Sequence, residues 1–76
     1  MIRFKQDVLK QLKERGYTQP EIIRNGWISA QTMTYIRKGD ARMSMIALSA
    51  ICCMLRCQPG DILENVPTDE EKIKYF

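Results

Sequence analysis

Gly16, Gly26 and Gly39 each stand just past a short stretch of helical apolar periodicity, and Thr18, Ser29 and Ser44 each open the next stretch. A glycine beyond the last turn and a hydroxyl residue before the first are among the strongest local stop and start signals for a helix. This punctuation limits the chain to helices of about two to three turns, which are marginal alone in water and hold only by packing on one another. A chain of 76 residues supplies one such core and no second.

Val8, Leu9 and Leu12 predict a first helix over residues 6–15, ended by Gly16. Thr18 and Glu21 have capping-box spacing and Pro20 suits a first turn, so a second helix is expected over 19–25 with Ile22 and Ile23 inward. Ser29 caps a third, 30–38, with Met33 and Ile36 inward and Gly39 as its stop. After a loop, Ser44 caps a fourth helix reaching Arg56, with Leu48, Ile51, Cys52 and Leu55 as its core stripe. Residues 57–63 read as a turn and a short fifth helix that returns Ile62 and Leu63 to the core. No period-two run is long enough for a strand, although Met1 to Lys5 is expected to be extended. The expected fold is all-α, with five helices. Residues 1–66 form the domain, leaving 67–76 as a tail that is either a short helix, capped by Thr68 and Glu71, or frayed.

Composition excludes several classes. With 45% hydrophobic and 28% charged residues the chain is too apolar to be disordered. It has neither an apolar run of membrane-spanning length nor a secretory leader pattern, so a cytoplasmic protein without a membrane partner is expected. There is no His, no pair of catalytic carboxylates and no Gly-rich phosphate loop, which argues against an enzyme and against any cofactor. Cys52, Cys53 and Cys57 crowd one segment without further ligands for a metal, and they read as reduced, small buried hydrophobes, with redox sensing by Cys52 and Cys53 the alternative.

Charge is unevenly spread. Residues 1–42 carry nine Lys/Arg against four Asp/Glu, while the remainder carries three against five. A basic half of this kind suits an anionic partner such as nucleic acid, and it equally suits a solvated face. Two short capped helices joined by a tight turn, the second with Ala30, Gln31, Thr34, Tyr35 and Lys38 on its outer face, form a helix-turn-helix candidate. Short polar and amide side chains there have the reach for base edges in the major groove, and flanking cations have the charge for phosphates. The bland alternative is a solvated helix on a small core. Trp27 in the turn reads as a lid on that core rather than a base-stacking group.

The span from Leu9 to Leu63 resembles the Cro/CI-type, lambda-repressor-like helix-turn-helix proteins. The resemblance is carried by Thr18-Gln19, Ile28-Ser29, Gly39, and Ala50-Ile51-Cys52 through Leu55 and Cys57-Gln58-Pro59-Gly60-Asp61-Ile62-Leu63. It implies sequence-specific binding of double-stranded DNA by a transcriptional regulator acting as a repressor. In that pattern Gln19 donates to a phosphate and buttresses the recognition helix, while Ala30, Gln31, Thr34 and Tyr35 lie over bases or flanking phosphates. Ser29 caps the helix beside the backbone, and Lys38 and Arg42 hold the backbone beyond it. Ile23 departs from the family's usual small residue, and Gly26-Trp27 inverts its usual order at the turn. The alternative function is a protein-interaction module, antitoxin-like or adaptor. On the fourth helix, Ile46, Ala50, Cys53 and Met54 form a second apolar stripe, which predicts a homodimer interface unless the tail folds back over it.

Overall fold

A computed structural model describes residues 1–76. Its order is β1 (Ile2–Phe4), α1 (Val8–Glu14), α2 (Gln19–Arg24), α3 (Ala30–Arg37), α4 (Met45–Leu55), α5 (Pro59–Ile62), β2 (Leu63–Asn65) and α6 (Asp69–Tyr75). The all-α expectation holds for the class but not for the count: there are six helices, and a small sheet joins the two ends of the domain. The extended N-terminal segment pairs antiparallel with β2, Ile2 opposite Asn65 and Phe4 opposite Leu63. Neither strand alternates long enough to be read alone. Each is defined by a partner some sixty residues away.

One core organises α1 to α5. Val8, Leu12, Ile22, Ile28, Met33, Ile36, Leu48, Ile51, Leu55 and Ile62 form its buried cluster. Leu9, Tyr17, Ile23, Cys52 and Leu63 pack around it partly exposed. Ile23 therefore keeps its bulk at the edge of the core, although the family pattern favours a small residue there.

The helix ends follow from local chemistry. Asp7 caps α1, its carboxylate accepting the Lys10 N–H at 3.1 Å, so the helix begins at Val8, two residues later than the expected span over 6–15. Ser44 caps α4 through the Ala47 N–H at 3.1 Å. The expected Thr18–Glu21 box at α2 is absent, as Thr18 makes no side-chain cap bond. Pro20 has no N–H to satisfy, which leaves that turn with one unpaired donor fewer.

The tail is a helix. Thr68 and Glu71 make both bonds of a capping box at α6. The Met1 α-ammonium donates to Glu71 Oε1 at 2.5 Å, Asn65 Oδ1 at 2.8 Å and the Val66 carbonyl at 2.9 Å. The Met1 ammonium first and the Thr68 N–H second hold the Glu71 carboxyl below the usual range. No residue of α6 is buried, and Ile73, Tyr75 and Phe76 are 84%, 71% and 87% exposed. The tail therefore does not cover the stripe on α4, where Ile46 is 82% exposed and Cys53 is open as well.

Candidate nucleic-acid interface

The turn between α2 and α3 is closed by Gly26 at φ 72°, a left-handed conformation that L side chains seldom adopt. The Gly26 N–H bonds the Ile23 carbonyl at 3.0 Å, and the Trp27 N–H reaches the Ile22 carbonyl at 3.2 Å. That paired pattern needs a left-handed residue at position 26 and is frequently followed by an apolar one, which fits the Gly26-Trp27 order. Ile28 goes into the core, whereas Trp27 stays 43% exposed and stands edge-on to Tyr17, ring centroids 6.1 Å apart. Trp27 therefore covers Tyr17 from outside rather than sealing the core itself.

Ser29 then starts α3. Its hydroxyl accepts the Thr32 N–H at 3.1 Å and donates to Thr32 Oγ1 at 3.0 Å, so it is committed to the cap. Met33 and Ile36 turn inward, and Ala30, Gln31 and Thr34, with Lys38 just beyond the helix, remain exposed. Positions four apart share a helix face, so this side of α3 is a polar strip. Thr34 donates its hydroxyl proton to the Ala30 carbonyl at 3.0 Å, which leaves its oxygen as an acceptor. Gln31 makes no side-chain bond within the chain and is exposed.

Two side-chain pairs brace the strip. Arg42 lays its guanidinium over the half-buried Tyr35 ring at 4.9 Å and lies 3.7 Å from Asp40. The Arg42 N–H also bonds Asp40 Oδ1 at 2.9 Å, fixing the loop after α3. At the other side, Gln19 Oε1 accepts the Arg37 Nε–H at 2.5 Å, joining the start of α2 to the end of α3. That bond uses the acceptor end of the amide and leaves its NH₂ free to donate. Sequence reasoning missed Arg37, which it counted only as a charge, because the partner lies eighteen residues away and no local pattern signals the contact. Lys10, Lys13, Gln19 and Arg37, with Asp7 as the single acid, line an open cleft of about 610 Å³ beside this bond.

The expected dimer stripe is only partly free. Ile46 and Cys53 are exposed and Ala50 half-exposed, but Met54 packs against the core and so contributes less to an outer face than its helical position suggests.

The Cro/C1-type HTH DNA-binding domain family matches residues 8–68, and the chain belongs to that family. It is a DNA-binding helix-turn-helix domain, non-enzymatic in class. Comparisons with curated proteins and with solved structures returned no match. No helix is long and apolar enough to cross a membrane.

Proposed function

We propose that α3 enters the major groove of duplex DNA and reads base edges with Gln31, flanked by Ala30 and Thr34, as a transcriptional repressor. The reading rests on one observation above the rest: Gln31 stands unpartnered and exposed on a helix whose start is fixed by Ser29 and whose end is braced by Arg37 and Gln19. A free amide matches the adenine N6/N7 edge bidentately. The Gln19 NH₂, Tyr35, Lys38 and Arg42 flank α3 as phosphate contacts, with Ser29 close to the backbone through its cap. Residues 1–66 constitute the DNA-binding unit, working in the cytoplasm, with 67–76 as an appended tail.

The chain acts as a two-fold homodimer through Ile46, Ala50 and Cys53, with Met54 at the edge; Met45 and Ile46, both largely exposed, support this. Such a dimer sets its recognition helices about 34 Å apart, over successive major grooves. A protein-interaction module is the second reading, favoured by the exposed Ile73, Tyr75 and Phe76.

Selection of duplexes from a random pool tests the function. An enriched motif with two-fold symmetry, bound more weakly as salt rises because counterions are released, is the expected result. No enrichment, together with binding that salt does not alter, contradicts it and favours the second reading. Sedimentation tests the dimer: Ile46→Glu is expected to yield a folded monomer with weakened site binding, and a parent that is monomeric at DNA-binding concentrations contradicts it.

A further inference from the structure

Four helices in this chain end alike, and one of them carries different chemistry. After α1, α2 and α3 a left-handed glycine is followed by an N–H that reaches back five residues: Tyr17 to the Leu12 carbonyl at 2.9 Å, Trp27 to Ile22 at 3.2 Å, and Asp40 to Tyr35 at 2.9 Å. The end of α4 repeats the pattern, with Cys57 on the Cys52 carbonyl at 3.0 Å and Arg56 on Cys53 at 3.3 Å. Here the left-handed residue is Arg56, φ 54°, the one non-glycine at positive φ.

In this motif the side chains at the two ends of the five-residue bond lie on neighbouring positions and frequently pack together. At α4 both are thiols. The 3.0 Å bond, with standard backbone dimensions, keeps the two Cα atoms within about 7 Å, the reach of a disulfide. Burial first, and the neighbouring Cys57 sulfur second, raise the Cys52 pKa above its ordinary value. All three cysteines are free. Cys52 and Cys57 are half-buried, and with Cys53 and Arg56 they line an open cleft of about 500 Å³ that admits a small reagent. The structure thus replaces two expectations: none of the three cysteines is fully buried, and the pair joined across the helix end is Cys52 with Cys57. Adjacent helical side chains point about 100° apart, which separates Cys52 from Cys53.

We propose that Cys52 and Cys57 form a dithiol site that closes to an intramolecular disulfide by exchange with a low-molecular-weight disulfide. The Cys57 thiolate attacks one sulfur of the small disulfide, forming a mixed disulfide and expelling one small thiolate. The Cys52 thiolate then attacks Cys57 Sγ and expels the second. The two protein thiols give up two electrons and two protons, and the small disulfide leaves as two thiols. Because Cys52 holds its proton more firmly than an ordinary thiol, the first attack falls to Cys57 and the closing one to Cys52. The bond pins the last turn of α4 and the left-handed Arg56, and it involves no residue assigned to DNA.

The test equilibrates the full chain with reduced and oxidised glutathione, in buffer and in denaturant, then quenches, alkylates and maps the peptides. The expected product is lighter by two hydrogens, linked Cys52 to Cys57 with Cys53 alkylated, and it keeps the circular dichroism of the reduced chain. Because the native helix end preorganises the pair, its equilibrium constant is expected to be at least about tenfold higher in buffer than in denaturant. Cys53→Ser should leave that ratio unchanged, and Cys52→Ser should stop at the mixed disulfide on Cys57. Equal constants in the two conditions, a link through Cys53, mixed disulfides alone on the native chain, or a linked product that has lost its helical signal would each overturn the proposal.

Discussion

Helices α3 and α6 are nearly equal in length, and a hydroxyl residue caps each of them, yet they end in opposite situations. The first buries Met33 and Ile36 and shows solvent a polar strip; the second buries nothing and shows solvent Ile73, Tyr75 and Phe76. Caps determine where a helix begins, but only apolar burial makes so short a helix persist. The interface depends on that difference, since a recognition surface must be held still by the core beneath it.

Deleting the core contact should break the comparison most sharply. Met33→Ala is expected to cost ~2–5 kcal/mol in denaturant unfolding, as buried methionine truncations do, and Ile73→Ala less than about 0.5 kcal/mol. Equal costs would mean that α6 is as integrated as α3.

The caps come next. Ser29→Ala should lower global stability by about 1 kcal/mol, because the Thr32 N–H loses its partner at the start of a packed helix. Thr68→Ala should instead speed amide exchange within α6 and leave the unfolding midpoint where it was. A shifted midpoint would show that α6 is coupled to the core.

Acid should give the smallest effect and confine it to α6. The Glu71 carboxyl is lowered by the Met1 ammonium first and the Thr68 N–H second, so its hold is present above the ordinary glutamate range and lost as falling pH protonates it. A fall in the protection of the Lys72 and Ile73 amides in acid, with exchange normalised to the intrinsic rate at each pH and α3 protection unchanged, is the expected pattern. Acid-insensitive α6 protection would contradict it.

The comparison also shows what a sequence exposes. Ser29, Ser44 and the Thr68–Glu71 box were legible because each is a hydroxyl residue immediately before apolar periodicity or a charged first turn. The inward faces of α1, α3 and α4 were legible from spacing. Ile28 was not, since a single apolar residue in a turn has no period. The β1–β2 pairing and the Arg37–Gln19 bond were invisible for a related reason: each joins segments distant in sequence, and neither partner is unusual where it stands. Exposure of Ala30, Gln31, Thr34 and Lys38 follows the sequence reading, whereas Ser29 is occupied by its cap and Tyr35 lies half-buried under Arg42. The apolar character of the cysteines suggests burial, but the end of α4 leaves Cys52 and Cys57 half-buried and Cys53 exposed beside an open cleft, which no local pattern signals.

The most direct test of DNA reading by α3 is to measure the affinity of Gln31→Ala and Arg42→Ala for the selected duplex and for random duplex across a range of salt. Gln31→Ala is expected to lose ~1–3 kcal/mol on the selected site and almost nothing on random DNA, as befits a base contact. Arg42→Ala should weaken both duplexes alike and flatten the salt slope by about one counterion unit. If Gln31→Ala weakens selected and random duplexes equally, or leaves both unchanged, α3 does not read bases through Gln31 and the account fails at its centre.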